Sequence, residues 1–121
     1  MALSPPWADW RRWGLNDAES TIFAGAALAP IGGVYLGFAI ADGRASAVAI
    51  QAISMLAFAI VAYIGIEDGS KAVIGAGWVA DGFWDALHHE HHGPTEVQDL
   101  VSAFCATADL VVGIPLIAGL T

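Results

Sequence analysis

Long uncharged stretches alternate along the chain with short polar breaks. Thr21 to Ala41 runs 21 residues without a charge, Asp42-Gly43-Arg44 interrupts, and Ala45 to Ile66 adds 22 more. Glu67-Asp68-Gly69-Ser70-Lys71 forms the second break. Ala72 to Leu87 is then apolar except for Asp81 and Asp85, His88 to Asp99 is polar, and Leu100 to Leu120 is apolar except for Asp109. A helix needs roughly 20 apolar residues to cross about 30 Å of hydrocarbon. The first, second and fourth stretches meet that length directly. The third meets it if its helix continues through the histidines to His92, where Gly93-Pro94 stops it. The pattern predicts spans over residues 21–41, 45–66, 72–92 and 100–120.

A soluble helical core would require a polar stripe on every helix, and the first two stretches have none. Asp42-Gly43 and Asp68-Gly69 are tight turn signals, so consecutive helices are antiparallel neighbours. The fold expected is all-α: an integral membrane, up-down four-helix bundle over residues 21–121, preceded by a short interfacial segment over residues 1–20. In that segment Trp7, Trp10 and Trp13 recur every third residue around Arg11 and Arg12, as amphipathic aromatics do at headgroup depth. Its Pro5-Pro6 and three tryptophans stand where a signal peptide would place basic residues and an apolar run. Small residues such as Gly25, Gly32, Gly33 and Gly37 let backbones approach closely in lipid, and Pro30 and Pro115 lie inside spans as kink sites.

Composition sharpens this reading. Apolar residues make up 57% of the chain and charged residues 13%, about half the usual charged share of roughly 25%. A chain this small has too little interior to hide so much apolar surface from water. Disorder, a coiled coil and a disulfide scaffold are excluded. The formal charge of −8, with only four basic residues, excludes a nucleic-acid partner. The partners implied are the lipid bilayer and either further copies of the chain or another subunit of a membrane complex. Arg11, Arg12 and Lys71 fall on one side of four crossings and Arg44 on the other. That bias places both termini in the cytoplasm and the His88–Asp99 loop outside a cell membrane crossed several times.

The third span carries the candidate chemistry. With Asp81 at zero and about 100° per residue, Asp85, His88, His89 and His92 all fall within about 100° of arc. One helix face thus bears two carboxylates and, further along, three imidazoles. The fourth span adds Asp109 near its midpoint, with Cys105 one turn away. No Lys or Arg lies within the spans. Asp81, Asp85, Asp109 and Cys105 therefore form an intramembrane polar cluster that must be satisfied by a shared proton, a histidine, water, a hydroxyl or a metal cation. Histidine and carboxylate at i,i+3 and i,i+4 spacing suit Zn, Fe, Cu or Mn, with Asp85, His88, His89, His92 and Asp109 as candidate ligands. The alternatives are a solvated histidine loop with adventitious metal affinity and, less favoured, a heme on one or two of these histidines. Trp78 and Trp84 read as packing or interface residues, Cys105 as a small residue in a helix contact, and Gln51 as a hydrogen-bond partner for another helix or its copy in an oligomer. No nucleophile motif, phosphate loop or dinucleotide fingerprint appears. Three functional classes stay open: a metalloprotein, a small channel or proton-coupled carrier, and an accessory subunit of a membrane assembly.

Val34-Tyr35-Leu36-Gly37-Phe38-Ala39 with Asp42-Gly43, Gly77-Trp78, Gly82-Phe83-Trp84-Asp85-Ala86-Leu87-His88-His89, and Phe104-Cys105-Ala106 with Asp109 together resemble a family of small four-helix integral membrane proteins of bacteria and archaea whose function is unknown. The resemblance covers roughly residues 30 to 118, and Trp-Asp-x-x-His-His is its most specific element. It implies four spans and a polar core of Asp85, His88, His89 and Asp109. The family pattern has a histidine where this chain has Asp81, so one donor here changes from nitrogen to oxygen. The resemblance implies no activity.

Overall fold

A computed structural model describes Gly14 and residues 16–89, 93–95 and 97–119. It is all-α, with four helices of which the first is broken into two segments. α1 is Asp17–Gly32 and α2 is Val34–Asp42. Asn16 caps α1 by accepting from the Glu19 N–H at 2.8 Å, while the Glu19 carboxylate reaches back to the Asn16 amide. The first bond satisfies one free backbone donor at the helix start, and the second joins the two side chains, with the Asn16 side-chain NH2 donating. Pro30 brings no N–H to the ladder, and three residues later the Gly33 N–H folds back on the Pro30 carbonyl at 3.1 Å. The chain resumes at once as α2, so Asp17–Asp42 forms one bent, apolar run of 26 residues. It ends at Gly43, whose φ of 71° is the left-handed helix cap that glycine adopts without strain.

α3 is Ala45–Glu67, α4 is Lys71–Leu87 and α5 is Asp99–Ala118. The first, second and fourth of the four helices match the expected spans to within four residues at each end, and all three are long and apolar enough to cross a membrane. α4 does not extend to His92. It stops at Leu87, 17 residues long, or about 25 Å at 1.5 Å per residue. The cause is local. His88 Nδ1 lies 2.7 Å from the Trp84 carbonyl, the acceptor that the next helical N–H would use. The His88 N–H takes the Asp85 carbonyl instead, at 3.0 Å, which tightens and closes the last turn. The interfacial segment expected over residues 1–20 lies largely outside the described residues; its last four residues, 17–20, belong to α1.

α4 is the centre of the bundle: α5 packs along it, and α3 and α1 flank it, with α1 and α2 both seated on α3. Its contact with α5 is close because both partners are glycines. A Cβ at Gly75 would stand 2.8 Å from the Gly113 carbonyl oxygen, and one at Gly113 would stand 2.9 Å from that of Gly75. A small core of Ala24, Leu28, Ala62, Ile74, Trp78 and Leu116 fills the space between α1, α3, α4 and α5, and the Trp78 indole ties α4 to α1 by donating to the Ala24 carbonyl at 3.1 Å.

The distribution of polarity is inside-out. Ile22, Phe23, Ile53, Leu56, Phe83 and Phe104 point outward, while Gln51, Asp81, Asp85, His88, Ser102 and Asp109 are buried. A water-soluble fold buries its large apolar side chains and leaves its charges outside.

Candidate functional site

Asp81 and Asp85 lie one helical turn apart on α4 and face the same way. Asp109 approaches from α5, and the approach is set by the glycine contacts: a Cβ at Gly82 would already sit 3.3 Å from the Asp109 Cβ. The three carboxyls are 1%, 4% and 2% exposed, in that chain order. One oxygen from each lies within 4.8 Å of the other two. The Oδ2 atom of each has no hydrogen-bond partner. From α2, Tyr35 turns its hydroxyl toward Asp85; that hydroxyl is likewise buried without a partner at hydrogen-bonding geometry.

No basic side chain balances the acids among the described residues. Arg44 pairs with Asp42 at 3.2 Å, and Lys71 pairs with Asp17 at 3.4 Å, both at helix ends. Three like charges this close, out of water, repel one another strongly. Such a group is held together by protons or by a cation between its oxygens.

The structure divides the histidines and acids predicted as one metal-ligand set. Asp85 and Asp109 converge, with Asp81 as their third member. His88 belongs to a separate, fully satisfied network. The Trp84 indole can only donate, and it donates to Gln51 Oε1 at 3.1 Å. That fixes the Gln51 amide nitrogen toward His88 Nε2 at 2.9 Å and Thr95 Oγ1 at 2.8 Å. His88 Nε2 must therefore accept, and Nδ1 carries the proton given to the Trp84 carbonyl. Both ring nitrogens are engaged. His89 lies on the α4–α5 surface, half exposed, with Nδ1 3.2 Å from Ser102 Oγ and 4.0 Å from the Asp99 carboxylate. His92 lies outside the described residues. Cys105 shares a cavity wall with Asp85 and Asp109.

Tyr35 and Trp84 gained roles that the pattern of spans did not give them. Tyr35 joins the acids and the histidine network: its ring lies 4.4 Å from that of His88, and its hydroxyl faces Asp85. A single tyrosine early in an uncharged run was the signal available. Gln51, expected to bond another helix or a second copy, bonds α4 and the segment after it within the same chain. Trp84, read as a packing residue, fixes the direction of the Gln51 amide.

A cavity of about 160 Å³ lies between the first helix and α5, with Asp85 and Asp109 in its wall. A larger groove of about 650 Å³ runs between α3 and α4, lined by residues such as Ile50, Ile53, Phe58 and Phe83, and contains none of the acids.

A helical chain with many apolar side chains outside and three carboxyls gathered at its centre belongs to the class of small helical proteins built around a buried polar site. Residues 14–120 match the model of a family of unknown function, DUF6010, and the chain belongs to that family. No curated protein and no solved structure matches it.

Proposed function

We propose that this chain is an integral membrane protein whose Asp81, Asp85 and Asp109 form a cation-binding centre within the bilayer. The observation that carries the reading is the convergence of three buried carboxyls to within 4.8 Å, with no basic side chain beside them. The membrane setting is supported by three apolar helices of spanning length and by the outward-facing apolar side chains. α4 is shorter, but its acidic face is enclosed by neighbouring helices, so its polar groups never meet acyl chains. Both termini would lie in the cytoplasm and residues 88–99 on the opposite side.

The donor set narrows the ion. Carboxylate oxygens and a phenol suit hard cations: Mg²⁺, Ca²⁺ or Mn²⁺. Of Zn, Fe, Cu and Mn, which the histidine pattern favoured, Mn fits these oxygens best. With both nitrogens of its ring in hydrogen bonds, His88 has none to offer a transition metal or a heme. A second reading, a proton store in a carrier or channel, is favoured by the same unpaired oxygens together with the Tyr35 hydroxyl; protons and a divalent ion would compete for them.

The test is Mn²⁺ binding followed by electron paramagnetic resonance, on detergent-solubilised protein purified without a histidine tag. One bound Mn²⁺ per chain in the wild type and none in Asp109→Asn is the expected result. Less than a tenth of an equivalent in the wild type refutes the cation centre. Release from membranes by an alkaline carbonate wash refutes the membrane setting.

A further inference from the structure

Resting on the cation-centre reading above, we infer that the carboxyl trio opens to water at one end only, through a gate of Thr95, Gln51, His88 and Tyr35 that this structure shows closed. The two ends of the bundle differ in what seals the trio. Toward the start of α4 the seal is the apolar core of Ala24, Leu28, Ala62, Ile74, Trp78 and Leu116. It is tightly packed: a Cβ at Gly77 would stand 2.5 Å from Leu28, and one at Gly25 would stand 2.6 Å from Ile66. Among the described residues, the buried polar side chains at that end are Ser20 and Thr21, whose hydroxyls donate to the Asp17 carbonyl inside α1. An ion passing there would shed its water against aliphatic side chains, with no group to replace it.

Toward the other end the seal is polar. Thr95, Gln51, His88 and Tyr35 are each 2% exposed or less. The Gln51 amide donates to Thr95 Oγ1 at 2.8 Å and to His88 Nε2 at 2.9 Å. The His88 ring lies 4.4 Å from that of Tyr35, whose hydroxyl turns toward Asp85. These side chains make one column from the segment after α4 down to the acids. Gly93 closes it from above, where a Cβ would stand 2.5 Å from the His88 ring. Arg44 holds the same segment by donating to the Pro94 carbonyl at 3.3 Å.

For packing alone, apolar side chains of the same shape would serve as well as this column. What polarity adds is reversibility. When the segment 93–95 lifts, the Thr95 hydroxyl, the Gln51 amide and the His88 imidazole exchange their mutual bonds for bonds to water, as an apolar seal cannot. Their exposed oxygen atoms then face an ion that is losing its hydration shell. A local opening of this kind requires less free energy than unfolding of the bundle. Among the described residues, no buried polar side chain links Asp81 to the Lys71 end, so the trio is a one-ended centre and not a pore.

Thr95→Val removes the outermost bond of the column and keeps its shape, whereas Ile74→Ala thins the apolar seal. Both variants are compared with the wild type in lipid nanodiscs by two measurements. Hydroxyl-radical footprinting reads how fast Tyr35 is oxidised by radicals formed in water. Stopped-flow quenching of tryptophan fluorescence reads Mn²⁺ association, and mixing with a chelator reads its release. Thr95→Val should raise Tyr35 oxidation, Mn²⁺ association and Mn²⁺ release each by about fivefold, the effect of one lost hydrogen bond on the open population. Its Kd should stay unchanged, since Thr95 lies outside the trio. A purely structural role for Thr95 would weaken binding without speeding association. Ile74→Ala should leave Tyr35 oxidation and Mn²⁺ association as in the wild type. Unchanged oxidation and rates in Thr95→Val, or an acceleration by Ile74→Ala as large as that by Thr95→Val, overturn the inference. The two proposals fail separately. Without Mn²⁺ binding to the wild type the cation centre falls, and Tyr35 oxidation alone decides the gate. Mn²⁺ binding at rates indifferent to Thr95→Val keeps the centre and removes the gate.

Discussion

Replacing Asp109 by Asn removes one charge from the trio and keeps the side chain's shape. At 4.8 Å, the upper limit of their separation, and an effective dielectric constant of about 20, each pair of ionised carboxylates repels by about 3.5 kcal/mol. Asp109 takes part in two such pairs, or about 7 kcal/mol if every group were charged. Total folding stabilities are only about 5–15 kcal/mol, so the fully ionised, ligand-free trio cannot persist, and protons relieve most of that repulsion when no cation is bound. The net effect of Asp109→Asn in a chelator is therefore small: stability unchanged or raised by up to about 2 kcal/mol, or several degrees in Tm for a chain of this size. With Mn²⁺ at a hundred times its Kd, the wild type gains about 2.7 kcal/mol, whereas the variant gains nothing. The order of stabilities thus reverses on adding the ion. Thermal unfolding in detergent, followed by tryptophan fluorescence with and without Mn²⁺, measures the reversal. If Asp109→Asn is the less stable protein by 2 kcal/mol or more in the chelator, and neither protein responds to Mn²⁺, the carboxyls are structural hydrogen-bond partners and the electrostatic reasoning is refuted.

Further outcomes follow from the packing. Gly75→Ala places a Cβ 2.8 Å from the Gly113 carbonyl; it should lower stability by about 1–3 kcal/mol and, by parting α4 from α5, weaken Mn²⁺ binding, as denaturant unfolding and a Mn²⁺ titration would show. Gln51→Leu leaves the Trp84 indole and His88 Nε2 without their partner, an expected loss of about 2–4 kcal/mol measurable as a lower Tm. His88→Ala should destabilise by a similar amount through the same network, yet leave one Mn²⁺ bound per chain; loss of the ion at unchanged stability would restore His88 as a ligand. Mn²⁺ affinity should fall as pH is lowered, since protons compete for the same oxygens; calorimetric titrations at two pH values give the sign.

What the linear order of residues determined was everything that depends on runs and breaks. Charge-free stretches and the Asp-Gly turn signals located three helices to within a few residues, because hydropathy and turn chemistry are local properties. Chain order also showed that Asp81, Asp85 and Asp109 had no basic residue within their spans. The meeting of these acids was decided in three dimensions. Asp109 reaches the α4 pair only because α5 is rotated and held close by the Gly75–Gly113 contact, and a periodicity within one helix carries no information about its neighbour's rotation. The end of α4 was decided the same way. The Gly93-Pro94 stop was legible, but His88 ends the helix earlier by turning its own ring onto the Trp84 carbonyl, and it holds that position because Gln51, 37 residues away in sequence, accepts from Trp84 and donates to the imidazole. Hydrogen bonds between distant residues become favourable only once packing has removed water from both partners, and so the engagement of His88 with Gln51 and Trp84 belongs to the tertiary structure.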